Sequence, residues 1–186
     1  PMAFKQSLEG LFPGSLPLGE YLERTARVVR GFGFEPDRSI ACVGVCRDEI
    51  TWPFVDGVQR TWGEAFNFSS LAGMLFVGRT GFDAAVHHAP TRGGTRRHVF
   101  FATAHIGIGR DGEPGVCYRA GQDGPSGACG ALLGFLAELK QGTVRLDLDP
   151  DDLEQSLLRQ RLFRSLRYGD VPDLPRLTRI AHSAIL

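Results

Sequence analysis

Apolar residues recur along the chain with two different periods, and the change from one to the other marks out its elements. From Pro17 to Arg30, Leu18, Leu22, Ala26 and Val29 stand three or four residues apart with charged residues between them. This is the spacing of one helical face, and Gly31 and Gly33 supply the stop. Ser39 to Val45 shows no alternation; its isoleucine, valines and small residues suit a strand covered on both faces. Arg96 to Gly109, "RRHVFFATAHIGIG", is a second such run, and it too gives out in a polar side chain followed by glycines. Between the two, apolar residues mix with Gly73, Gly78 and Gly81, which predicts a loop and then a short helix over Phe82 to His88. Arg110 to Gly127 is dense in glycine, proline and aspartate and reads as a long surface connection, interrupted by a short strand at Val116 to Arg119. Ser126 is placed to cap a helix running to Lys140, with Gly142 as its stop and Val144 to Leu148 as the next strand. Asp149 as cap, Pro150 in the first turn and Glu154 soon after announce a helix through Leu166, ended by Gly169; a last helix covers Leu174 to Ala184.

Strands that alternate with helices predict an α/β fold: a single domain with a central, largely parallel sheet flanked by helices. With 186 residues, 42% of them hydrophobic, the chain can bury one sizeable core. The reading divides it into an N-terminal helical arm (1–31), an α/β core (32–148) and C-terminal helices (149–186). The formal net charge is zero, which gives no electrostatic footprint for nucleic acid or an anionic membrane surface. No apolar run approaches the ~18 residues that span a bilayer, and Pro1 to Leu18 lacks the layout of a signal peptide, so a soluble protein is expected. A chain of this length does not need disulfide staples, and its four cysteines read better as core thiols or metal ligands.

Ligands of open α/β sheets bind beyond the carboxyl ends of the central strands. Cys46 and His105 each stand where a buried strand gives out. Cys129 falls in the first turn expected after Ser126, where free backbone N–H groups and the helix dipole favour a thiolate. Two thiolates and an imidazole occupy three tetrahedral positions on zinc and leave the fourth open. Asp48, two residues past Cys46, returns to the same side, where it can hydrogen-bond water. The three positions match no short metal motif, so buried thiols with a satisfied histidine remain an alternative, as does a nucleophilic Cys46 served by His105 and Asp48. Cys42 reads as a core thiol, Cys117 as structural, and Phe66, Phe68, Phe82, Phe100 and Phe101 mainly as core. No helix opens directly after Gly107 and Gly109, which argues against a dinucleotide loop.

Four ordered blocks, "CVGVCRDEI", "GRTGFDAAVHHAP", "VFFATAHIGIG" and "SGACGALLGFL", resemble the limiting-CO2-inducible B and C proteins of algae and their bacterial relatives, a branch that looks like divergent β-carbonic anhydrases with the θ class nearby. The likeness runs from about Phe32 to Leu139. It implies a zinc ion held by Cys46, His105 and Cys129, with Asp48 as the aspartate of an Asp–Arg dyad. Two departures stand out. The glycine-rich Arg110 to Gly127 connection separates a histidine and a cysteine that are ordinarily three residues apart, and the usual arginine position holds Ile50. Arg47 is the nearest substitute, with Arg79, Arg92 and Arg119 as alternatives.

The activity so implied is reversible CO2 hydration at a zinc-activated water, with CO2 and bicarbonate as small-molecule partners and turnover that rises on the alkaline side of neutrality. The alternative is a catalytically silent relative that binds bicarbonate or serves in assembly. A buffer or a surface histidine would export the proton, with His87, His88 and His98 as the candidates. The resemblance also implies a homodimer with the site mouth near the interface. A cytoplasmic location is expected for a bacterial protein; the Pro-Met start reads as a remnant ahead of a native methionine, so an algal plastid protein that has lost its transit peptide is compatible too.

Overall fold

The computed structural model describes residues 2–92 and 94–185. The chain begins with α1 (Met2–Leu11) and α2 (Leu18–Gly31), enters β1 (Ser39–Gly44), turns through a 3-10 helix at Glu49–Thr51 into α3 (Trp52–Trp62), and continues through β2 (Ala65–Asn67), a second 3-10 turn at Leu71–Gly73, α4 (Gly78–His88) and β3 (Arg97–Ala102). A two-residue ladder, β4 (Val116–Cys117) with β5 (Ser126–Gly127), precedes α5 (Gly130–Gln141), α6 (Leu153–Ser165) and α7 (Leu174–Ile185). Among the described residues there are seven α-helices and one three-stranded parallel sheet, in the order β2-β1-β3.

β1 lies in the middle, pairing Ala41 with Ala65 on one side and with Val99 on the other, and all six of its residues are buried. That is why its sequence carries no alternation. Ala41 and Val43 face α2 and α3 in a cluster with Leu22, Val58, Trp62 and Phe101. Ile40 and Cys42 face Phe68 and α4. A third cluster, off the carboxyl end of β1, joins Cys46, Met74 and Cys129 to Leu132, Phe135, Leu158 and Leu177 of the last three helices.

Several sequence expectations are met to within a few residues, α2, β1 and α7 among them; others fail for local reasons. Val144 to Leu148 forms no strand: it is a surface segment with Leu146 and Leu148 largely exposed, and the Leu146 carbonyl accepts from Gln160 instead of a ladder. Ser126 caps no helix, because its backbone pairs with Cys117 and its hydroxyl accepts from Arg119; the cap position belongs to Cys129. Asp149 and Pro150 occupy a turn in which the Asp149 carbonyl accepts from Asp152, and α6 begins at Leu153. Trp52–Trp62, unassigned in the pattern reading, is helical with Pro53 in its first turn and Val58 and Trp62 buried one turn apart. Gly142 takes φ 66°, the left-handed conformation that lets α5 end with its last carbonyls satisfied.

Candidate metal centre

β1 delivers Cys46 into the third core cluster, and the five residues after it make a tight turn. Ser70 bridges to Cys46 and donates its N–H to the Val45 carbonyl at 3.1 Å, which extends the sheet by one step and fixes where the thiol emerges. The buried Thr51 hydroxyl lies 2.8 Å from the carbonyl oxygens of both Cys46 and Asp48, a shared donation that holds the turn closed. Asp48 Oδ1 accepts the Ile50 N–H at 3.3 Å. Its Oδ2 points the other way and lies 4.0 Å from His105 Nε2.

His105 follows β3, whose direction is continued by the Thr103 N–H donating to Gly44 O at 3.1 Å. Beyond it the backbone is stitched to the connection: Gly107 donates to Ala128, Gly115 to Gly107 and Ala128 to Gly115, at 3.1, 2.7 and 2.9 Å. A side chain at Gly107 would bring its Cβ to 2.4 Å from the Val116 carbonyl oxygen, so only glycine permits this approach. Cys129 caps α5, and the Ala131 and Leu132 N–H groups face its sulfur.

The ligand atoms of Cys46, His105 and Cys129 all lie within 4.8 Å of one another, with the two sulfurs 3.6 Å apart and both thiols free. Both ring nitrogens of His105 are buried without a hydrogen-bond partner. Buried polar atoms are rarely left so, and an orphaned imidazole beside two thiols is what a metal ligand looks like when only its protein partners are counted. The Cys46 thiol is pulled well below its ordinary range, first by its contact with the Cys129 sulfur and then, against the cost of burial, by His105 and the Asp48 backbone. Cys129 is pushed up by the neighbouring Cys46 and by burial. Cys42 is a core thiol, and burial raises it to about 11.

Arg119 reaches Asp48 from the connection, with Nη2 3.0 Å from Asp48 Oδ1. Its other nitrogens are taken by Glu49, by the Ser126 hydroxyl and by the Gly127 carbonyl, so the guanidinium is clamped on every edge. Glu49 and then Asp48 hold Arg119 above its usual range, and Arg119 draws Glu49 below the usual carboxylate range. Arg47, the nearest arginine in sequence, does not pair with Asp48. It makes a two-pronged pair with Glu154 of α6 at 2.6 and 2.9 Å, and that carboxylate holds it in the turn after Cys46. Arg92 pairs with Asp37, and Arg79 is exposed in the first turn of α4.

The histidines named for proton export lie around α4 and its neighbouring strands. His87 contacts the Asp83 carbonyl, His88 stands edge-on to Phe66, and His98 contacts the Ala85 carbonyl. His182 of α7, which the pattern reading did not single out, instead lines the same cavity as His105, a space of about 440 Å³ walled by Phe4, Leu8, Phe12 and Ile106. No sequence signal distinguishes it. Thr51 was missed for the same reason: its role depends on a turn that only the folded backbone displays.

Residues 15–186 match the family model of the limiting CO2-inducible proteins B/C beta carbonic anhydrases. The chain belongs to this family. Among solved structures it is similar to the limiting CO2-inducible protein LCIB, at 35% identity and a TM-score of 0.77 over 96% of this chain and 74% of that one. It also superposes on PtLCIB4, a homologue of LCIB, with a TM-score of 0.82 over 97% of this chain and 75% of the other; at 24% identity that likeness speaks for the fold alone. No curated protein matches the chain. The carbonic anhydrase-like α/β fold thus carries a cysteine–histidine–cysteine cluster that can hold a metal ion, and no helix among the described residues is long and apolar enough to cross a membrane.

Proposed function

We propose that this family member is a zinc-dependent carbonic anhydrase that hydrates CO2 reversibly to bicarbonate. The observation that carries the reading is the convergence of Cys46, His105 and Cys129 within 4.8 Å, with Asp48 Oδ2 beside His105 and Arg119 locked on Oδ1. Two sulfurs and one imidazole nitrogen are a donor set that zinc takes with a position to spare, and the downward pull on the Cys46 thiol favours its thiolate form. Zinc held there supplies a Lewis acid that makes water nucleophilic near neutral pH.

The chain's own residues do the rest. Asp48 Oδ2, the oxygen not engaged by Arg119, accepts a hydrogen bond from the attacking water and aims its lone pair. Arg119 keeps the carboxylate oriented through its hold on Oδ1. The Thr51 donations hold the Cys46 to Asp48 backbone in the one conformation that presents both side chains to the site. The apolar cavity beside His105 accepts a neutral, poorly hydrated gas more readily than its charged product.

The reading includes a homodimer with the site near the contact. Exposed Trp52, Tyr118 and Leu153 each adjoin a residue of the site region in sequence, namely Thr51, Arg119 and Glu154, and offer apolar surface to a second copy.

The deciding experiment is stopped-flow CO2 hydration from pH 6.5 to 9 on metal-quantified protein, wild type beside Cys46→Ala. One zinc per chain and turnover that rises with pH are expected, with Cys46→Ala losing both metal and activity. Stoichiometric zinc without turnover at any pH would instead favour a silent binding or assembly protein. Zinc-independent turnover, with alkylation of Cys46, would favour a cysteine nucleophile.

A further inference from the structure

We propose that the groove between α6 and α7 is an anion site for a small phosphorylated ligand carrying at least two negative charges. Two adjoining cavities, of about 590 and 290 Å³, share Ser165, Ser183 and Ala184 as a common wall. Arg161 and Arg164 line the larger, Arg176 and Arg179 the smaller, and no carboxylate lines either. In a chain whose formal charges cancel, four arginines around one hollow are a local excess.

The four are not equivalent. Arg176 is held by Asp170 through two hydrogen bonds of 2.6 and 2.8 Å, and Arg179 donates to the Leu11 carbonyl while lying over the Phe12 ring. These two are fixed parts of the wall. Arg161 and Arg164 differ: among the described residues neither guanidinium has a carboxylate within 4 Å or a hydrogen-bond partner, whereas Arg159 and Arg176 pair with carboxylates and Arg179 has the Leu11 carbonyl. They stand three apart on one helix, so their charges face outward together and repel. A dianion between them removes that repulsion and meets two guanidinium forks, the geometry for which a phosphate is suited.

The ligand's remaining requirements are also present. Ser165 and Ser183 put hydroxyl groups on the shared wall, and Phe76 and Leu157 make an apolar end for an organic moiety. The volume suits a small molecule, whereas an extended nucleic acid backbone would need a basic track that the rest of the surface does not provide. None of Cys46, Asp48, His105 or Cys129 lines the groove, although Arg179 in its wall also lines the cavity beside His105.

The test is calorimetric titration of the intact protein with inorganic pyrophosphate at low and moderate salt, beside an R161Q/R164Q double variant and an R27Q/R38Q control that removes two exposed charges elsewhere. One saturable site that weakens with salt is expected, with affinity falling at least about tenfold in R161Q/R164Q and little in the control. All the substituted side chains are exposed, so melting temperatures that stay together confirm that folding is not the cause of a loss. Absence of saturable binding, or an equal loss in the control, overturns the site. Displacement of pyrophosphate by bicarbonate at matched ionic strength overturns the phosphate assignment, and because the titration needs no turnover, its outcome is independent of the carbonic anhydrase reading.

Discussion

The turn after β1 and the connection from Ile108 to Cys129 both deliver side chains to the metal centre, but they are held by different means. The turn is short, springs from a fully buried strand, and is pinned by one buried hydroxyl, that of Thr51. The connection is long, mostly exposed and glycine-rich, and is pinned by backbone bonds among Gly107, Gly115 and Ala128. The first positions its residues by the sheet it leaves. The second does so by close backbone approach, and it is the second that supplies Arg119. An insertion that looks like an interruption of the ligand spacing is therefore the source of the guanidinium missing at Ile50.

The largest effect that tests this contrast is expected from Arg119→Ala, which should lower kcat/KM about 10–100-fold while zinc stoichiometry stays near one. Arg47→Ala should not lower turnover, since its guanidinium serves Glu154. If the Arg47 variant were the impaired one, the connection would lose its assigned role. Gly107→Ala comes next. Its Cβ collides with the Val116 carbonyl, a cost of about 1–3 kcal/mol in urea unfolding, together with faster proteolysis between Arg110 and Gly127. On the other side, Thr51→Val removes the hydroxyl donor and leaves the Cys46 carbonyl without it, while the Asp48 carbonyl keeps the Thr51 N–H; the cost is about 1–2 kcal/mol with kcat falling only severalfold.

The smallest effect concerns the strand itself. Burial raises Cys42 from 9.0 to about 11, so its contribution to stability is whole below pH 9 and is lost as pH climbs through 11. The loss amounts to at most about 2–3 kcal/mol. Urea midpoints of wild type and Cys42→Ala should converge over that interval; parallel curves would mean that the thiol ionises freely in the fold.

The same contrast explains what could be read before the fold was known. β1, α2 and α7 were legible because burial on one face or both leaves a periodic trace, and Cys46, Asp48 and His105 followed because they stand where such traces end. The connection leaves no trace of that kind. Its Ser126 looks like a helix cap by residue type and is a ladder residue because Arg119 and Cys117 compete for it. Val144 to Leu148 alternates like a strand but pairs with none. Arg119 stood as one of four arginines, and only a contact across 71 residues singles it out.

Both pairings of β1 are parallel, and each partner lies beyond a helix-containing crossover. No hairpin can start this sheet. Its strands must wait for α3 and α4 to form and swing back, so loop-closure entropy is spent before any ladder bond repays it. Cys46 and His105 meet only when the later of the two crossovers has closed. Refolding should accordingly be slow for a chain of this size, and the pocket between Cys46 and His105 should be among the last parts of the molecule to exist.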